Sequence, residues 1–485
     1  MARQLLLGID EGTSGVKVVA YDLELRPIAS ARRSVTTDHP RAGWVEQDAE
    51  AVLAAVVDAV AEVLDVTDGD VVACGLDHQG ESVVAWDAQG GAPLGPVIVW
   101  QDQRGMDVLA RMSDAELAEI GARSGLPPDA YFSAASLGWL MTDGGLGARP
   151  GIRLGTLDAF LSDRLGAGFV TDASTASRTQ LSGIVGAGAD GWDPRLLDLF
   201  GVPEEALPSI LDSAGDLGEL RHPRWRQPLP LRARVVDQQA SLAGTGCVAP
   251  GRAKATYGTG VFVLVHTGDA IAAGARSAGL LPTVAWRIGG RVTGALDGGV
   301  FSAGSMLEWL ALDLGLAPDV PALLALAASV PDTGGVRILP ALGGMGAPWW
   351  RPDARGVIAG LSGHTRPGHI ARAALDAIAW RVGDIVRATD ALAPVEDVRI
   401  DGGLTRAPGF AEQQATVLGR PVWRTDADAT ARGAAALAAV GAGILARIED
   451  IDPLLPAFER VDPLGERPDA EAWIRFAEHA AELLD

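Results

Sequence analysis

Apolar and polar positions along this chain fall into blocks of two different periods. The chain opens on "LLLGIDEGTSGVKVVAYD" (5–22), an apolar run broken by Asp-Glu-Gly-Thr and resumed at Val16. β-Branched residues on both sides of a short polar interruption predict two strands joined by a tight turn. "DAEAVLAAVVDAVAEVLDV" (48–66) instead carries its apolar residues at helical spacing. "DVVACGLDHQGESVVAWD" (70–87) reads as strand, loop, strand, and 114–201 as several helices around "YFSAASLGWLM" and "GTLDAFLSDRL". "ARVVDQQASLAGTG" (233–246) is a strand ending at Asp237 and then a helical run.

The pattern then starts again. "AKATYGTGVFVLVHTGD" (253–269) repeats the opening unit: strand, Gly-Thr turn, apolar strand. Behind it come a helix at "HIARAALDAIAWRVGDIV" (369–386), a strand and glycine turn at "VRIDGGLTRAPG" (398–409), and an Ala-rich helix at "TARGAAALAAVGAG" (430–443). Two halves that begin alike predict duplicated α/β domains facing one another. The 485 residues exceed one ordinary core, so the expected division is 1–243 and 244–485.

Charge and composition narrow the classes. A net charge of −22 argues against nucleic acid, whose phosphates demand clustered cations. No apolar run approaches about 20 residues, so no membrane span is expected. No basic flank precedes a long apolar core at the start, and two cysteines, Cys74 and Cys247, build no disulfide framework, so a reducing cytoplasm is the expected setting. Nearly all basic residues are arginine, with lysine only at Lys17 and Lys254. The pattern leaves a homo-oligomer open.

The turns carry the candidate chemistry. Glycine permits close backbone approach, and consecutive N–H groups beside hydroxyls make a cradle for phosphate oxygens. Thr13, Ser14 and Thr259 then face phosphate, Lys17 adds charge, and Asp10 suits Mg²⁺ directly or through water. The same residues are also ordinary turn formers. Asp237 ends an apolar strand, where open α/β sheets bind ligands; the competing role is a cap for the following helix. Glu81, Trp100 and Gln101 lie in neighbouring strand–loop units. His78 has no nucleophile and acid at triad positions, which leaves a serine hydrolase without support.

With those residues in view, the chain resembles the FGGY family of carbohydrate kinases, and within it the glycerol-kinase pattern. "GIDEGTSGVKVVAYD", "HQGESVVAWD", "VIVWQDQR", "VTDASTASRT", "VDQQASLAGTG", "YGTGVFVL", "DGGVFSAGSMLEWL", "MGAPWWRPDARGVIAGL" and "IDGGLTRAPGF" carry the resemblance in order. It implies two actin-like (ribonuclease-H-like) domains with the active site in the cleft between them. It implies ATP and Mg²⁺ as cofactors and a small polyol or sugar as substrate. By position, Asp237 is then the base, and Gly80, Glu81, Trp100, Tyr131, Gln238 and Phe262 line the acceptor pocket. Thr13, Ser14, Gly15, Lys17, Thr259 and Gly260 meet the phosphates, Gly304 and Gly403 border the nucleoside, and Asp10 and Asp237 serve the metal.

Four positions depart from the pattern: Gly80 stands for an Arg, Ser136 for a Lys, Glu308 for a Gln and Ala407 for an Asn. Loss of the Arg is expected to open volume beside Glu81 and relax selection for a three-carbon triol. A ketopentose kinase is the rival within the family, but its Met-His pair after Gln79 is missing. A non-catalytic actin-like nucleotide-binding protein is the rival outside it, with no use for Glu81, Asp237 and Gln238.

Overall fold

In the computed structural model, which describes residues 3–147, 149–184, 191–269, 274–425 and 429–482, the opening run forms β1 (Gln4–Gly12) and β2 (Gly15–Tyr21). They pair antiparallel with Gly12 opposite Gly15, so Thr13 and Ser14 form the bend. Gly15 has φ 151°, and a Cβ there would stand 2.2 Å from the Arg33 carbonyl oxygen, so only glycine closes this hairpin. β3 (Pro27–Ser34) continues antiparallel, while β4 (Asp70–His78) and β5 (Leu229–Val236) run parallel to β1, giving the order β5-β4-β1-β2-β3.

The second half repeats this topology. β6 (Arg252–Tyr257), β7 (Val261–Gly268) and β8 (Arg291–Val300) are antiparallel, and β9 (Asp397–Gly402) and β10 (Val422–Arg424) are parallel to β6. The order β10-β9-β6-β7-β8 repeats the five strands given for the first sheet, which gains Glu219–Leu220 at one edge while the second gains Leu281–Ile288 and Glu459–Val461 at its two edges. The predicted duplication is therefore present in three dimensions.

Helices cover both sheets because their apolar stripes need burial. Asp48 caps α1 (Ala49–Val66), accepting from the Glu50 and Ala51 amides, and the helix buries its valines and leucines on one face of the first sheet. Among the segments between β4 and β5, α2 (Ala173–Arg178) is capped by Asp172. α3 (Asp237–Gly244) follows β5 directly, α4 (Pro367–Asp390) packs under the second sheet, and α5 (Ala429–Gly441) is the predicted Ala-rich helix. α5 lies against the first sheet although it comes from the end of the chain. Cβ atoms at Gly8 and Gly75 would stand 2.0 Å from the Ala431 and Ala434 carbonyl oxygens, so small residues on both sides set this close approach.

The strand expected after the loop at Glu81 forms, but in a different sheet from β4. Val83–Asp87 pairs with Ile152–Thr156 in a separate four-stranded sheet that also takes Val97–Ile98. Glu81 itself, at φ 62°, turns the chain out of the first sheet.

Candidate active site

Parallel strands bring the acidic residues together. Asp10 pairs in register with Asp77, and Asp77 with Val235, which places Asp10, Asp77 and Asp237 at the ends of three adjacent strands. Burial, and then the neighbouring Asp237 charge, push Asp10 up to about 6. Asp77 is fully buried, pushed up first by that burial and then by the Asp10 charge, and its carboxyl hydrogen-bonds that of Asp10. Burial also raises Asp237, opposed first by Lys254.

Asp237 does not cap its helix. Val236 occupies the cap position, and the Asp237 carboxylate accepts from the next amide, Gln238 N–H, at 2.6 Å and also hydrogen-bonds the Gln238 side chain. Its sequence neighbours carry no cation, but folding supplies Lys254 from β6. Lys254 is fully buried and donates to Gln238 Oε1 and, at 3.2 Å, to Thr256 Oγ1. The sequence marked Lys254 only by its rarity; its role depends on the juxtaposition of the two halves.

Beside Asp237 lies a pocket of paired charge. Arg178, at the end of α2, donates from Nε to Glu81 at 2.6 Å and pairs through Nη1 with Asp297 of β8 at 3.0 Å. Both Arg178 and Asp297 fall inside quoted motifs, yet neither was singled out, because the pair forms only across the cleft. Trp100 stands edge-on to Tyr131 at 5.6 Å and to Phe262 of β7 at 6.4 Å, so aromatic rings from both halves wall the same pocket. Gln101 stays exposed.

At Gly80 a Cβ would stand 2.8 Å from Val236 Cγ1, so Val236 takes the near side of this position, and the Arg178 guanidinium pairs with Glu81. Ser136 is buried on its helix, while Ala407 is buried and Glu308 exposed.

The two glycine/hydroxyl turns of the hairpins, expected to meet phosphate, lie at the loop ends of their strands. Ser14, Thr259 and Gly403 are exposed at loop tips. The Thr259 carbonyl accepts from Ala303 and Ser305 N–H at 3.1 Å, and Gly304 N–H donates to Gly258 at 3.1 Å, which locks the second turn against the loop after β8. Cβ atoms at Gly260 and Gly304 would each stand 2.6 Å from a carbonyl oxygen. The first turn is tied to the pocket: Trp100 Nε1 donates to Thr13 Oγ1 at 3.0 Å, and Gln47 Nε2 to the Thr13 carbonyl at 2.6 Å. Gln79 joins Gln47 to the buried Glu11 at 3.0 and 2.9 Å. Burial leads, with the Arg32 and Arg432 charges adding, in bringing Lys17 down to about 8.

One consequence concerns pH. Burial holds Glu81 at about 7 despite Arg178, well above an ordinary carboxylate. The folded state thus favours its protonated form, and this contribution is complete at low pH and lost as pH rises through about 7. Glu81→Gln is expected to gain melting temperature relative to wild type between pH 5 and pH 8. A difference that stays constant across that range, measured by calorimetry, removes the buried charge as its source.

Comparisons agree with this geometry. Residues 5–244 match the N-terminal domain model of the FGGY family of carbohydrate kinases, and residues 253–442 match its C-terminal domain model. The chain is 40% identical to a glycerol kinase of Alkalilimnicola ehrlichii, with 91% of each chain covered. It is 38% identical to one of Acidovorax ebreus, with 98% of each covered. The crystal structure of Plasmodium falciparum glycerol kinase with ADP superposes with a TM-score of 0.89 at 26% identity, covering 99% of this chain and 98% of that one. Among the described residues no helix is long and apolar enough to cross a membrane. With the actin-like fold in duplicate and both family domains matched, the chain belongs to the FGGY family of carbohydrate kinases and is a phosphotransferase.

Proposed function

We propose that the protein transfers the γ-phosphoryl group of ATP to a primary hydroxyl of a small polyol, glycerol or a four- to five-carbon homologue, in the cytoplasm. The reading divides the chain at 243/244, with the acceptor pocket in the first domain and the nucleotide on the second. The observation that carries it is Asp237, held at the cleft floor between the Glu81–Arg178 pair and the two phosphate turns.

Phosphoryl transfer asks for positioning and charge stabilisation more than covalent help. Asp237 orients the acceptor hydroxyl and takes its proton. Glu81, with Arg178, and Gln238, held by Lys254, fix the remaining hydroxyls, while Trp100, Tyr131 and Phe262 exclude water. The amides and hydroxyls of Thr13, Ser14, Gly15, Thr259 and Gly260 hold the phosphates, with Lys17 adding charge. Gly304, packed on the Gly258–Thr259 turn, and the open Gly403 border the nucleoside.

The strand-end carboxylates suit Mg²⁺. Asp10 and Asp237, with the buried Asp77 hydrogen-bonded to Asp10 behind them, offer hard oxygen donors at the strand ends. Among the described residues no three side chains make a ready cage, which fits an ion that keeps its waters and binds mainly through substrate phosphates. Asp10 and Asp237 would hold it, and it would neutralise charge on the β- and γ-phosphates. Asp10→Ala is expected to raise the Mg²⁺ concentration needed for half-maximal rate several-fold with a small change in melting temperature. Unchanged Mg²⁺ dependence with a loss of several degrees would make Asp10 a turn residue only.

The deciding experiment is coupled ADP release across glycerol, erythritol, threitol, the pentitols and xylulose. Turnover on a polyol supports the reading. Turnover on xylulose alone selects the ketopentose kinase, and none on any acceptor returns the scaffold.

A further inference from the structure

A second polar site lies outside the residues used above. Between β2, β3 and the first turn of α5 is a cavity of about 170 Å³, lined in part by Val19, Tyr21, Ser30 and Arg432. Arg432 is only 5% exposed, and its Nε and Nη1 find no acceptor. The Tyr21 hydroxyl, from a side chain 1% exposed, is also unpartnered.

Unmet guanidinium N–H groups also occur at Arg178, Arg234 and Arg387, but Arg432 differs in having no carboxylate beside it among the described residues. Other buried arginines have carboxylates: Arg104 has Asp102 at 2.8 Å, Arg178 has Glu81 at 2.6 Å, Arg381 has Asp384 at 2.7 Å and Arg399 has Asp452 at 2.9 Å. Even Arg234 has Asp158 at 3.5 Å. Among the described residues none pairs with Arg432. Each unmet N–H buried away from water costs about 1–3 kcal/mol, so such a group calls for an acceptor.

The unmet guanidinium of Arg432 itself sets the sign of the missing partner. Lys17 and Arg32 face each other across β2 and β3, and both Arg32 and Arg432 act on Lys17 as like charges. The space suffices for a tetrahedral oxyanion but not for a nucleotide. We propose that this cavity binds a small oxyanion of the phosphate class through the guanidinium of Arg432, with the Tyr21 and Ser30 hydroxyls completing the contacts. β2 and β3 fall in the N-terminal family match and Arg432 in the C-terminal one, so the bound anion bridges the two halves.

The test uses the whole enzyme with its nucleotide site filled by Mg²⁺ and a non-hydrolysable ATP analogue. Inorganic phosphate and glycerol 3-phosphate are titrated separately, read by calorimetry and melting temperature. Binding of either is expected in wild type and roughly tenfold weaker or lost in Arg432→Leu. Tyr21→Phe, which removes one oxygen from a packed side chain, is expected to weaken binding several-fold and guards against a misfolded Leu variant. Phosphate alone identifies a free anion as the occupant; the ester alone identifies a phosphorylated metabolite. Binding of neither, binding abolished by the analogue, or equal binding to Arg432→Leu overturns the proposal.

Discussion

Replacing Asp237 by Asn is expected to lower kcat by roughly 10²-fold or more, with the fold and nucleotide affinity retained. The carboxylate hydrogen-bonds the backbone and the side chain of Gln238, both of which an Asn oxygen can still accept. What Asn cannot do is take the acceptor proton or carry the charge that faces Lys254. Removing a burial-strained carboxylate leaves melting temperature unchanged or slightly higher, so stability and rate separate. Steady-state kinetics with nucleotide titration checks this: turnover near wild type would leave Asp237 as a helix-start residue and end its assignment as base.

The second large effect is at Gly80. Arginine there collides with Val236, whose branched side chain is stiff at χ1 and packed at the start of α3. Gly80→Arg alone is expected to cost about 1–3 kcal/mol of stability and to lower kcat/KM on every acceptor. Combined with Val236→Gly it regains stability, and the new guanidinium shifts preference toward glycerol over the four- and five-carbon polyols by roughly tenfold or more, the usual reward for satisfying a buried hydroxyl. The measurement is a double-variant cycle in melting temperature and acceptor panel. A single variant as stable as wild type that shifts preference by itself would mean Val236 yields, and that position 80 opens the pocket as its small size alone implies.

Local pattern determined a good deal about this protein. The hairpin 4–21 with its bend at Thr13 and Ser14, the helix 49–66 behind its Asp48 cap, and the second hairpin around Thr259 all follow from side-chain period and turn chemistry within a dozen residues. Asp237 was legible as a strand end for the same reason, and the motifs in order carried the family. These are short-range properties, and short-range physics is what a single sequence displays.

What the tertiary structure decided is how charges and volumes meet. Lys254 acts on Asp237 and Gln238 from another strand, Arg178 joins Glu81 to Asp297 across the cleft, and Val236 takes the near side of Gly80. The break of the chain at Glu81 into a separate sheet and the seating of α5 on the first domain's strands are equally non-local. Each depends on residues tens to hundreds of positions apart arriving within a few ångströms. Desolvation and Coulomb forces act on that separation in space, so a linear pattern identifies the participants but leaves their partners undetermined.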